Sequence, residues 1–153
     1  MPDLEEPFVL FKKNAREAVG VACTEWKGES RVDLRIYVQA IGEEELVPTK
    51  KGISIPLELF PEVLEGVRGL GDVMSSDKVV AVISRNANSQ IRVGVNTFHG
   101  HHLVYVRLFN REETNEQESW KATNKGVSIR VDLYPRLLKA LEDANRMIHG
   151  ECR

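Results

Sequence analysis

The sequence predicts an α+β fold of two β-β-β-β-α repeats that pair with each other as an intramolecular pseudo-dimer. Three observations predict it. The chain echoes itself at a nearly constant offset, each copy opens on runs of period-two alternation, and each copy closes on a run with helical period.

The echo begins at Asn14-Ala15, which returns 72 positions later as Asn86-Ala87. The same step carries Val21 to Val93, Trp26 to Phe98, Gly28 to Gly100, Arg35 to Arg107 and Tyr37 to Phe109. The loop after Phe109 is two residues longer than the loop after Tyr37, and the step becomes 74. It then carries Thr49 to Thr123, Lys51 to Lys125, Gly52 to Gly126, Ser54 to Ser128, Pro61 to Pro135 and Leu64 to Leu138. A run with one offset and one small insertion in a turn marks a duplication. The expected boundaries are 7–70 for the first repeat, 71–77 for a linker and 78–148 for the second.

Each element follows from its local pattern. Phe8 to Lys12 reads as a first strand. Val19, Val21 and Cys23 alternate with Gly20, Ala22 and Thr24, and Val32, Leu34, Ile36 and Val38 alternate with Asp33, Arg35 and Tyr37, as in strands with one buried face. Trp26 to Ser30 lies between these runs and reads as a hairpin turn. Gly52 to Ile55 reads as a short fourth strand. Phe60, Val63, Leu64 and Val67 then follow the i, i+3, i+4, i+7 rule, as do Tyr134, Leu137, Leu138 and Leu141. Asp132 is the expected N-cap of the second helix, and Pro135 falls in its first turn. One such repeat is marginal for a stable core, and pairing the two through a short linker is a remedy.

Composition narrows the class. The 153 residues include 42% hydrophobic residues, enough for a core, and no apolar run long enough to span a membrane. The start, Met1-Pro2-Asp3-Leu4-Glu5-Glu6, is acidic, unlike a secretory leader. The expected location is the cytoplasm (nucleoid) of a prokaryote or the nucleus of a eukaryote. Cys23 and Cys152 lack metal or redox spacing, so Cys23 is expected as a small buried residue. The net charge of −2 requires that any anion-binding surface be local.

Strand parity supplies such a surface. With the aliphatic positions facing inward, Thr24, Trp26, Arg35 and Tyr37 of the first copy face outward. So do Arg92, Asn96, Phe98, Tyr105, Arg107 and Phe109 of the second. Aromatic faces stack on unpaired bases and cations neutralise phosphates, with little dependence on base sequence. Lys12, Lys13, Arg16, Lys27, Lys50, Lys51, Arg85 and Lys125 add positive charge, whereas Glu43 to Glu45, Glu58, Glu62 and Glu65 fall on a loop or a helix.

The strings Lys13-Asn14-Ala15-Arg16-Glu17, Glu25-Trp26-Lys27-Gly28, Val32-Asp33-Leu34-Arg35 and Pro48-Thr49-Lys50-Lys51-Gly52-Ile53-Ser54 resemble the C-terminal domain of the transcriptional coactivator family called positive cofactor four. The second copy is similar through Val106-Arg107-Leu108-Phe109 and Asn124-Lys125-Gly126-Val127-Ser128. The resemblance implies a single-stranded-DNA-binding coactivator fold, akin to Whirly and Pur-alpha proteins, and a role in transcription or DNA maintenance. Family-like contacts carry over to Trp26, Lys27, Arg35 and Lys51, and to Phe98, Arg107 and Lys125. The chain departs from the family at Glu29 and His101, where lysine is frequent, at Val38 and Asn110, where an aromatic is common, and at His99 in place of Lys27.

The expected nucleic-acid-binding set is therefore Lys13, Arg16, Trp26, Lys27, Arg35, Tyr37, Lys51, Arg92, Phe98, Arg107, Phe109 and Lys125. Expected partners are single-stranded DNA or RNA and the transcription machinery, with further association of whole chains left open and no membrane. His99-Gly100-His101-His102 reads as a solvated hairpin tip, since no third ligand type adjoins it. No nucleophile pattern or phosphate loop points to an enzyme, and no cofactor or metal is expected. The alternative is a protein-interaction scaffold that keeps the fold without nucleic-acid affinity.

Overall fold

The computed structural model describes residues 7, 9–42, 44–72, 77–112 and 119–148. Two four-stranded antiparallel sheets each lead into a helix. The first repeat comprises β1 (Val9–Lys12), β2 (Glu17–Trp26), β3 (Glu29–Gln39), β4 (Leu46–Pro56) and α1 (Phe60–Gly69). The second comprises β5 (Lys78–Asn86), β6 (Ser89–Phe98), β7 (His101–Glu112), β8 (Ser119–Arg130) and α2 (Tyr134–Arg146). Both sheets are meanders, ordered β1-β2-β3-β4 and β5-β6-β7-β8.

The β2–β3 and β6–β7 hairpins turn on Lys27-Gly28 and His99-Gly100. All four residues have positive φ (51°, 78°, 50° and 79°), the requirement of a two-residue turn that matches strand twist. Inward parity is as expected. Val19, Val21, Val32, Leu34, Ile36, Ile91, Val93, Val95, Val104, Val106 and Leu108 are buried in one core with the helix residues Phe60, Val63, Leu64, Val67, Tyr134, Leu137 and Leu141.

The helices cross between repeats. Helix α1 approaches β5 and β6, and α2 approaches β2. The crossing at Gly66 is so close that a Cβ there would lie 2.8 Å from the Cβ of Ala81. The phenol of Tyr134 donates to the carbonyl oxygen of Val67 at 2.7 Å, near the end of α1, where the Leu70 amide also donates. Arg68 pairs with Glu142 at 2.5 Å across the helix contact. Strands β4 and β8 also approach each other, so the core runs through both repeats.

Two expectations change. The fourth strand is eleven residues long, not four, because a bulge interrupts the alternation that would have revealed its first half. Asp132 does not cap α2. It lies in a 3₁₀ turn, pairs with Arg130 at 3.2 Å, and leaves Leu133 at the cap position with no side-chain hydrogen bond. The first strand is described over Val9–Lys12, and the expected start at Phe8 lies outside the described residues.

Candidate nucleic-acid interface

The bulge in each fourth strand is stapled the same way. Opposite Arg35 and Tyr37 stand Gly52 and Pro48, so Thr49, Lys50 and Lys51 share the space facing Ile36. Thr49 Oγ1 donates to the Ile36 carbonyl at 2.8 Å and accepts from the Lys51 amide at 3.1 Å, while Arg35 Nη1 donates to the Thr49 carbonyl at 2.8 Å. In the second repeat Thr123 bonds the Leu108 carbonyl at 2.8 Å and the Lys125 amide at 3.1 Å, and Arg107 Nη1 reaches the Thr123 carbonyl at 2.9 Å. The glycine that follows must be bare. A Cβ on Gly52 would lie 2.6 Å from Arg35 Cζ, and one on Gly126 would lie 2.4 Å from the Val106 carbonyl oxygen. The bulges thus hold the backbone of Lys51 and of Lys125, both exposed, in place.

These bulges help form two grooves related by the internal duplication, each lined by both repeats. One, of about 550 Å³, runs over the second sheet. Asn96, Phe98, Arg107, Asn124, Ser128 and Arg130 line it, and Lys13, Asn14 and Lys51 reach in from the first repeat. Its lining holds four cations and no carboxylate. Two acids stand just outside, Glu17 at 4.0 Å from Lys13 and Asp132 at 3.2 Å from Arg130. Phe98 is 60% exposed, an open apolar ring beside those cations. The other groove, of about 390 Å³, runs over the first sheet among Thr24, Arg31, Asp33, Arg35 and Lys50, with Arg85 and Lys125 from the second repeat.

The outer face of the first sheet differs from its expected form. Arg35 and Tyr37 lie on the outer side, as parity requires, yet each is only 5% exposed. Their neighbours on β2 are Ala18, Gly20 and Ala22, so the long β3 side chains lie flat across them. A Cβ on Gly20 would meet the Tyr37 ring at 2.4 Å. Asp33, 1% exposed, accepts from Arg35 Nε and Nη2, both at 2.9 Å. Tyr37 is thus no open stacking platform, and its burial raises the phenol above its ordinary pKa.

The second sheet solves the same packing with different residues. Tyr105 replaces Asp33 and covers Gly94, where the first repeat has Ala22. Phe109, half-buried, replaces Tyr37, and Arg92 replaces Gly20, with its guanidinium 4.4 Å from the Phe109 ring centre. Arg107 keeps its staple and donates from Nη2 to Ser128 at 2.9 Å. Burial lowers the pKa of Arg107.

Of the expected residues, Lys13, Lys51, Phe98 and Arg107 converge on the second-sheet groove, and Arg35 and Lys125 on the first-sheet groove. Arg92 stands across the strand pair from Arg107 and Phe109 lies two residues beyond Arg107 on β7, both outside that lining. Arg16, exposed, donates to the Gln39 carbonyl at 3.3 Å, and Lys27 sits at the hairpin tip, both outside the two linings. Trp26 ends β2 opposite Glu29, and its side chain lies outside the described residues. Arg31 and Arg130 were not anticipated. Parity could have found them, since Arg31 shares a face with Arg35 on β3 and Arg130 shares one with Ser128 on β8.

Residues 13–66 match the family model Transcriptional Coactivator p15 (PC4). The matched residues span most of the first repeat, from just after β1 into α1. The match stops within α1, so the second PC4-like repeat is recognised through its shared element order and identical bulge staple. Among solved structures, the tetragonal crystal form of BPSL1147, a PC4 homolog from Burkholderia pseudomallei K96243, is 28% identical, over 46% of this chain and 100% of that one, with a TM-score of 0.40. The orthorhombic form of that protein is 28% identical over 47% of this chain and 93% of that one, with a TM-score of 0.38. No curated protein matches the chain.

Proposed function

We propose that the chain binds single-stranded nucleic acid, DNA foremost, in the two grooves between its PC4-like repeats, with a coactivator-type role in transcription or DNA maintenance. Residues 7–70 and 78–148 act as the two binding units, joined by 71–77. The role is one of binding rather than catalysis. One observation carries this reading: the second-sheet groove sets four cations and an open phenylalanine side by side with no carboxylate in its lining. Cations at the walls meet phosphates, and the ring offers a face for one unpaired base. The PC4 match over residues 13–66 supports the same ligand class.

Titration of labelled oligo-dT at ~50 and ~200 mM salt tests it, because affinity for a single strand falls with salt in proportion to the phosphates neutralised. Binding weakens as salt rises, and Phe98→Ala costs about 1–3 kcal/mol without unfolding the chain. Oligo-rU in parallel measures the preference for DNA over RNA. Absence of binding even at low salt refutes the reading. That outcome would favour a protein-interaction scaffold, which the sealed outer face around Asp33, Arg35 and Tyr37 also suits.

A further inference from the structure

The two repeats treat one arginine differently. In the first, the Nε and Nη2 edge of Arg35 is closed by both oxygens of Asp33. In the second, Tyr105 stands where Asp33 would be, and among the described residues Arg107 bonds a carbonyl and a hydroxyl. Directly across the strand pair from Arg107 is Arg92. Its Nε bonds the neutral amide of Gln90 at 2.6 Å and its guanidinium leans on Phe109. Among the described residues, no carboxylate pairs with either arginine.

Like charges set opposite each other in a sheet are unfavourable unless something neutralises them. The first repeat avoids the problem twice, with Gly20 opposite Arg35 and Asp33 beside it. A half-buried cation stabilised by neutral acceptors alone has donors left for an anion, and a planar guanidinium suits a phosphate oxygen pair. The burial that depresses the Arg107 pKa has no compensating acidic neighbour, in keeping with this.

We infer that Arg92 and Arg107 form a phosphate site on the second sheet that the first repeat lacks, so that the two repeats hold a strand unequally. The identification of the ligand as a phosphodiester rests on the function proposed above. The anion site itself does not, and the two can fail separately.

The test follows the arginine Nε–H resonances of the full chain by NMR while inorganic phosphate, and separately oligo-dT, is added. Signals of Arg92 and Arg107 shift with both probes, and that of Arg35 stays in place. Arg92→Gln leaves the Thr123 staple intact. It weakens the phosphate response of Arg107, lowers oligo-dT affinity roughly tenfold, and makes the salt slope shallower by about 0.7. Asp33→Asn removes the competing charge and brings Arg35 into the responding set. If phosphate moves Arg92 and Arg107 while oligo-dT does not bind, the anion site stands and the nucleic-acid reading falls. If oligo-dT binds and these two signals stay silent, the site is overturned. Silence with both probes, or an equal response from Arg35 in the unaltered chain, overturns it as well.

Discussion

Asp33 and Tyr105 occupy equivalent positions, and they decide what their neighbouring arginines do. Asp33 is almost fully buried and holds Arg35 in a two-pronged ion pair. Removing one partner of a buried pair strands the other charge, which costs about 3–5 kcal/mol. Asp33→Ala therefore lowers the denaturation midpoint sharply, whereas Asp33→Asn, which retains an acceptor, costs less. Equilibrium urea unfolding of both variants checks the order. Strand parity places Arg35 and Tyr37 on the outer side from the sequence alone. It does not reveal their burial, because that depends on small residues across the strand pair, Ala18, Gly20 and Ala22, letting long side chains lie down.

The stapled bulge is the element that joins fold to function. It bends the fourth strand, orients a lysine into the groove shared with the other repeat, and recurs with the same three hydrogen bonds. Thr123→Val removes the hydroxyl that bridges the Leu108 carbonyl and the Lys125 amide. The expected loss is about 1 kcal/mol of stability per hydrogen bond, with a drop in oligo-dT affinity as Lys125 loses its fixed position. Thermal melts and the titration above read the two effects on one protein sample. The repeated Thr-x-Lys-Gly is visible in the sequence. The length of the strand around it is not, because the bulge breaks the alternation by which strands are read.

At the scale of the whole molecule, the repeats share one core. Helix α1 lies against the second sheet, α2 against the first, and Tyr134 bonds the end of α1. Unfolding is therefore expected as a single cooperative transition reported alike by near- and far-ultraviolet circular dichroism. Burial raises the phenol pKa of Tyr37, Tyr105 and Tyr134 above the ordinary value of 10.0. Each group binds its proton more tightly folded than unfolded. The stability they contribute is thus complete below pH 10 and drains away as pH climbs past it. Urea unfolding between about pH 8 and 11 measures this. A midpoint that stays flat across that range would contradict the burial of these phenols.

Patterns local to one segment, the duplication, the alternating strands, the helical stripes and the repeated Thr-x-Lys-Gly, were legible because period and offset are properties of the chain. Which outer-face residues stay open was settled only on folding. Exposure depends on what lies across a strand pair and across the repeat contact: Tyr37 on Gly20, Asp33 on Arg35, Tyr105 in place of an acid, and Lys13 and Lys51 over the opposite sheet. Those neighbours are distant in sequence, and their sizes and charges, rather than the parity of any strand, determine whether an arginine is spent internally or left for a ligand.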